Sequence, residues 1–339
     1  MQDEVALDLA EGLAALAIAE DGRIAVAGPN SVELRDPSGA LLSDFVFGAM
    51  PEGCCVRDLA FAGDTLLIAR SPSWEDRQGA GGTLGGLYRW DGAPDTAPQD
   101  LPVGGCSTIA IAAEAQTVAT ACAGTVQRWD LSSTDEPVII HDQPAAAIAL
   151  NEAGSLLAIA DRRPEAYGTE DGAGDDTSAS TPVGIYALGE GAEPLAAIEP
   201  SDAPVVQLAF LADGRLLSLH ADGSIVITEP GKWMSRPVAE NGPLSDGVGL
   251  AGEIAISPDG RLLAGDLSGA DGGVLIDLET GGIVDTPAAI PMRGAGHWAF
   301  VGDAGLLWAG RPPTYPSAIL RWFDVPPVAM MQEPPDEKE

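Results

Sequence analysis

The stretch Ile254-Ala-Ile-Ser-Pro-Asp-Gly-Arg-Leu-Leu-Ala264, followed by Gly273-Val-Leu-Ile-Asp-Leu-Glu-Thr-Gly281, decides the fold. It strings together a short apolar segment, an acidic Gly turn, a second apolar segment, a loop and a third apolar segment. The same order recurs upstream in Val205-Val-Gln-Leu-Ala-Phe210, Asp213-Gly-Arg-Leu-Leu-Ser-Leu-His220 and Gly223-Ser-Ile-Val-Ile-Thr228. The first turn of the unit falls at Asp21, Gly63, Glu114, Ala153, Asp213, Asp259 and Asp303, at intervals of 42, 51, 39, 60, 46 and 44 residues. Seven units therefore fill the chain.

Apolar stretches of this length, punctuated by Gly, Asp and Pro, read as strands, and no segment sustains a helical period. Three to four short strands in each repeat of roughly 40–45 residues is the signature of a β-propeller blade. The expected fold is all-β: a seven-bladed β-propeller with four-stranded antiparallel blades. Its blades fall at about 13–47, 55–103, 106–142, 144–200, 204–243, 252–290 and 295–332. Residues 4–9 form a spare strand, expected to pair with the last blade near Ile319 and so remove an exposed edge. One propeller over 1–332 leaves a Pro-rich, charged tail at 333–339, expected to be disordered.

Charge excludes several functions. The chain has 339 residues, with 51 acidic against 17 basic side chains, for a formal net charge of −34. A nucleic-acid binder needs a basic footprint to displace counterions, and an anionic membrane surface repels such a chain. No uninterrupted apolar run reaches the roughly 20 residues of a membrane-spanning helix. The start, Met1-Gln2-Asp3-Glu4, lacks the basic and apolar regions of a secretory signal, although a cleaved exported product could begin in the same way. Cytoplasm is the favoured compartment, with a periplasmic or extracellular one as the alternative, and the propeller is expected to be monomeric by itself.

The chain resembles the WD40-repeat family. The resemblance rests on Leu87-Tyr-Arg-Trp-Asp91, Val126-Gln-Arg-Trp-Asp130, Ile319-Leu-Arg-Trp-Phe-Asp324 and Ser257-Pro-Asp-Gly260, with His141 in the place of the family's loop histidine and one Gly-His dipeptide at Gly296-His297. It is degenerate, since most blades lack the Trp-Asp pair. Leu275-Ile-Asp-Leu-Glu-Thr-Gly281 looks equally like the YVTN-type bacterial propellers. The resemblance implies a non-catalytic platform for protein partners, with the strand 2–3 loops and the inter-blade loops on one face.

Three of those strand 2–3 loops stand out: 70–86, 161–182 and the Pro-rich 311–316. Long loops on a rigid scaffold are where function tends to sit. They carry Arg70, Arg77, Arg162, Arg163 and Arg311, five of the fifteen arginines, beside Trp74, Tyr167 and Tyr315. Arginine and aromatic side chains are enriched at interface hot spots. The competing reading is that these arginines neutralise Glu75, Asp76, Asp161 and Glu165 on the same loops. Arg23, Arg215 and Arg261 follow Asp-Gly turns, and Arg35, Arg89, Arg128 and Arg321 share one position on the third strand. Both sets read as structural.

Cys106 and Cys122 fall near-opposite on one hairpin, with Cys54 and Cys55 at the same end of the adjacent blade. Free buried thiols, one or two disulfides and a tetrathiolate metal site are the three readings: free thiols lead, a Cys106–Cys122 disulfide comes next for an exported protein, and metal is least favoured for want of a Cys-x-x-Cys pair. The acidic segment 170–176 lacks the spacing of an EF-hand loop and reads as solvated. No Gly-x-Ser-x-Gly elbow, phosphate loop or His-Glu-x-x-His helix is present. A hydrolytic propeller needs polar side chains around its channel, and the first strands offer only Asp58, Thr108 and Gln207. No cofactor and no metal are expected. A ligand-binding or hydrolytic site at the channel mouth, or an exported envelope propeller, are the alternatives to a protein-docking platform.

Overall fold

The structure, a computed structural model, describes residues 4–7, 9, 12–47, 55–71, 86–94, 96–101, 106–112, 117–122, 124–131, 136–162, 182–189, 193–238, 250–267, 273–284, 296–302, 305–310 and 317–325. Among them, seven four-stranded sheets, antiparallel throughout, form the seven-bladed propeller. Blade 1 comprises Ala15–Ile18, Ile24–Ala27, Ser31–Arg35 and Leu41–Val46; blade 2, Cys55–Ala62, Thr65–Ser71, Gly86–Trp90 and Gln99–Leu101. Blade 3 comprises Cys106–Ala112, Thr117–Cys122, Thr125–Asp130 and Val138–His141; blade 4, Ala145–Leu150, Leu156–Asp161, Val183–Ala187 and Pro194–Ile198. Blade 5 comprises Val205–Phe210, Leu216–His220, Ile225–Glu229 and Met234–Pro237; blade 6, Leu250–Ile256, Leu262–Leu267, Gly273–Asp277 and Ile283–Val284. Blade 7 takes His297–Val301, Gly305–Gly310 and Ile319–Asp324 from the end of the chain and Glu4–Ala6 from its beginning.

The turn that marks each repeat has a physical basis. In Asp21-Gly22-Arg23 the carboxylate accepts the Arg23 amide at 3.1 Å and its side chain at 2.6 Å, while Gly22 takes φ +85°. Asp213-Gly214-Arg215 repeats this arrangement at 3.0 and 2.6 Å, with Gly214 at φ +86°. A side chain at either glycine position would strain the turn. The arginines then diverge: Arg23 also bridges to Asp64 of blade 2, Arg215 stays in its own turn, and Arg261 reaches Asp277 on the third strand of its own blade.

The core lies between blades. Second strands such as Ile24–Ala27 and Leu216–His220 are buried along their whole length, which explains why their sequences are apolar apart from groups with internal partners, such as Ser218 and His220. One cluster joins Val32 and Leu34 of blade 1 to Leu66, Ile68 and Trp90 of blade 2, and another joins Leu262 and Leu275 of blade 6 to Trp308 and Ile319 of blade 7. Fourth strands form the rim and are the most exposed, with all four residues of Met234–Pro237 open to solvent.

Ring closure follows the expected pairing. Glu4 lies opposite Arg321, Val5 opposite Leu320 and Ala6 opposite Ile319, and the Leu7 amide donates to the Ala318 carbonyl at 2.8 Å. Leu7 and Leu9 pack among Ile24 and Val26 of blade 1 and Leu307 and Leu320 of blade 7. The third-strand arginines clasp the rim: Arg321 holds Glu4 at 2.5 Å, and Arg89 holds Gln99 at 2.7 Å. Arg35 instead grips Glu33 on its own strand and the Gly39 carbonyl.

Candidate functional site

Antiparallel pairing fixes which ends of the strands share a face. The start of a first strand, the end of a second, the start of a third and the end of a fourth all lie at one end of the blade. The inter-blade crossings and the strand 2–3 loops therefore share a face, and the Asp-Gly turns occupy the other.

On this loop face the register brings together residues far apart in sequence. The pairs Val56–Arg70, Cys106–Cys122, Ala145–Asp161 and Val205–His220 occupy one position in blades 2 to 5, and Ala251–Asp266 takes it in blade 6. A register shift follows in the first strand of each, one residue long in blades 2 to 5 and longer in blade 6. Such bulges re-aim side chains where a strand meets a loop. In blade 2 the bulge residue is Arg57 and in blade 5 Val206, both exposed.

Blades 2 to 6 thus carry Arg70, Cys122, Asp161, His220 and Asp266 at the end of the second strand or one residue before it, and each engages a neighbour. His220, 1% exposed, bonds the Ala203 carbonyl through Nδ1 at 2.9 Å and Ser218 Oγ through Nε2 at 2.9 Å. A carbonyl can only accept, so Nδ1 carries the proton and Ser218 donates to Nε2. Asp266 accepts Trp298 Nε1 at 3.0 Å and the Gly296 amide at 3.2 Å, tying blade 6 to blade 7; burial pushes its carboxyl above the usual range, against these bonds. Asp161 lies 2.9 Å from His141 Nε2, and His141 Nδ1 meets the Tyr186 hydroxyl at 3.2 Å. Burial, then the Asp161 and Asp142 charges, push the Tyr186 phenol up.

Burial pushes His220 below the usual imidazole value of 6.5. Its neutral form is therefore the one the fold prefers, and it contributes stability fully above the unfolded value of about 6.5. That contribution is lost as pH falls below this value through the folded pKa. Acid also relieves the self-repulsion of a −34 chain, so the readout is a difference. Between pH 7 and 5, wild type is expected to lose more stability than His220→Gln; parallel curves would contradict a buried neutral histidine.

Two of the inner-strand polar groups, Asp58 and Gln207, join adjacent blades. Asp58 accepts the Ile109 amide of blade 3 at 2.7 Å and its own Leu59 amide at 2.9 Å. Gln207 accepts the Ile254 amide of blade 6 at 2.9 Å and donates to the Ile254 carbonyl at 3.1 Å.

Of the arginine and aromatic residues singled out in the sequence, Arg70 and Arg162 are described; Trp74, Arg77, Arg163, Tyr167, Arg311 and Tyr315 lie outside the described residues, as does segment 170–176. Arg70 lies inside the blade 1–blade 2 seam, 2% exposed, its guanidinium carbon 3.9 Å from the Phe47 ring centroid. The Arg162 amide donates to the Pro144 carbonyl at 2.8 Å, holding the base of its loop to the crossing from blade 3. Cys122 is disulfide-bonded, and the residue opposite it in the register is Cys106. Among the described residues no cluster of His, Cys, Asp or Glu could hold a metal ion.

No family model matches this chain, and no curated protein matches its sequence. Solved structures do. The β-propeller domain of Myceliophteria thermophila Cps50 (Swd1) aligns with a TM-score of 0.68 at 10% identity, over 96% of this chain and 100% of that one. A chain of the mitotic checkpoint complex aligns at 0.64 and 12% identity, over 96% of this chain and 95% of the other. At such identities what the likeness shows is the fold: this chain is a seven-bladed β-propeller.

Proposed function

We propose that the chain is a non-catalytic, WD40-type interaction platform that docks a protein partner on its loop face. The observation that carries this reading is the use made of the polar groups around the inner strands. Asp58 uses one carboxylate oxygen, and Gln207 its side-chain oxygen and amide, on a neighbouring blade's backbone. Both are scaffold groups, whereas the loop face collects three over-long loops and their arginines. Neighbouring propellers that are parts of protein complexes support a partner in general, by fold alone.

The test is affinity capture with wild type and with Arg162→Ser/Arg163→Ser/Arg311→Ser, both checked for unchanged melting. A partner held by wild type and reduced at least tenfold in the variant is the expected result. One held equally by both would discard this face.

The disulfide at Cys122 favours the exported alternative over cytoplasm, because such bonds persist in oxidising compartments. With Cys106–Cys122 as the one disulfide, the denatured, unreduced protein is expected to show two free thiols per chain, and none with a second disulfide. Four would exclude any disulfide.

A further inference from the structure

Arg70 is a buried cation that has no counter-ion among the described residues. Six other described arginines, Arg23, Arg35, Arg215, Arg236, Arg261 and Arg321, each hold a carboxylate. Among the described residues Arg70 holds none. Its one hydrogen bond is a long contact of 3.4 Å from Nη2 to Asn30 Oδ1, and its buried Nε has no partner. A desolvated charge left in this state is costly, and acidic side chains outnumber basic ones three to one in this chain. Phe47 covers one face of the guanidinium, and the Tyr88 ring centroid stands 5.9 Å from its carbon. Arg57 occupies the bulge directly after Val56, the register partner of Arg70, and is exposed. It too makes no ion pair among the described residues.

We propose that the loop-side end of blade 2 is a carboxylate-binding subsite, with the unpaired, buried Arg70 as its floor and the exposed Arg57 at its rim. With a ring stacked on its face, the guanidinium is approached in its own plane, the geometry of a bidentate Arg–carboxylate pair. A singly charged carboxylate also meets about half the repulsion that a phosphate dianion would from a chain of charge −34. The ligand is either a small free carboxylate or a Glu or Asp side chain of a partner seated on this face; the second source rests on the function proposed above.

The probes are acetate and succinate, read as melting temperature against sodium chloride and sodium phosphate at matched ionic strength. In wild type both carboxylates are expected to raise the midpoint above chloride, acetate by several degrees at high millimolar concentration and the succinate dianion by less. Arg57→Ser should at least halve that increment and Arg70→Met abolish it. In chloride alone Arg70→Met should melt higher than wild type, since it removes an uncompensated charge. Equal midpoints for wild type in all salts, or an increment kept by Arg57→Ser and by Arg70→Met, would overturn the subsite. A phosphate increment larger than either carboxylate's would overturn the ligand class. Should Arg70→Met not fold, Arg57→Ser carries the test. These melts need no partner, so they can fail or succeed independently of the platform. If succinate also releases a captured partner, the natural carboxylate is a partner side chain; if the partner stays, it is a free small molecule.

Discussion

Removing residues 1–9 is expected to lower stability by about 5 kcal/mol or more and to broaden the unfolding transition, the largest effect foreseen for so short a deletion. The deletion takes away Leu7 and Leu9, 2% and 4% exposed in the cluster between blades 7 and 1. Truncating a buried leucine costs about 2–5 kcal/mol on its own. It also exposes the edge of Ile319–Asp324, whose backbone groups then lack the Glu4–Ala6 ladder. Against a typical total of about 5–15 kcal/mol, that loss leaves the ring marginal. Glu4→Ala serves as control: it removes the partly exposed Glu4–Arg321 pair, worth about 1 kcal/mol or less, while keeping the strand. Denaturant unfolding and sedimentation of the three proteins provide the test. A deletion variant within about 1 kcal/mol of wild type would mean that the terminal strand does not hold the ring shut.

The closing strand was legible because it left a remainder: seven repeats accounted for residues 13 onward, and an alternating apolar stretch stood before them. The Asp-Gly turns were legible because one geometry, a left-handed glycine after an acceptor side chain, demands the same residues each time. The loop-face ring was not. Arg70, Cys122, Asp161, His220 and Asp266 share a register position but span a guanidinium, a cysteine, two carboxylates and an imidazole, so no repeat of one residue type announces them. Bulges further offset the first strands from the repeat. Asp58 and Gln207 resembled scattered channel polars because their partners lie 51 and 47 residues away. The signal available in the sequence was positional: in blades 2, 4 and 5 the second apolar run stops on an ionisable residue. For Arg70 that signal suggested a surface loop, and only the packing of blade 1 against blade 2 reveals a buried charge.

Gly296→Ala is expected to cost about 3 kcal/mol, at the upper end of what overpacking usually exacts, for want of a few cubic ångströms beside one ring. Trp308 is 1% exposed in the blade 6–blade 7 cluster, tilted at 60° to Trp298 with centroids 6.5 Å apart. A Cβ built on Gly296 would overlap the Trp308 indole at Nε1 and Cε2, and one built on Gly310 would overlap the other end of the same ring. The indole therefore lies on two glycine backbones, and Gly296, with no left-handed φ, is required for space and not for conformation. A rigid ring packed this closely cannot give way as a flexible side chain would. Trp308 Nε1 has no hydrogen-bond partner among the described residues, so Trp308→Phe removes ring volume without breaking a bond. In a double-mutant cycle by urea unfolding, Trp308→Phe should lower the cost of Gly296→Ala by about 1–2 kcal/mol, because the smaller ring vacates the space the new methyl needs. Purely additive losses would show that Gly296 is constrained by something other than Trp308.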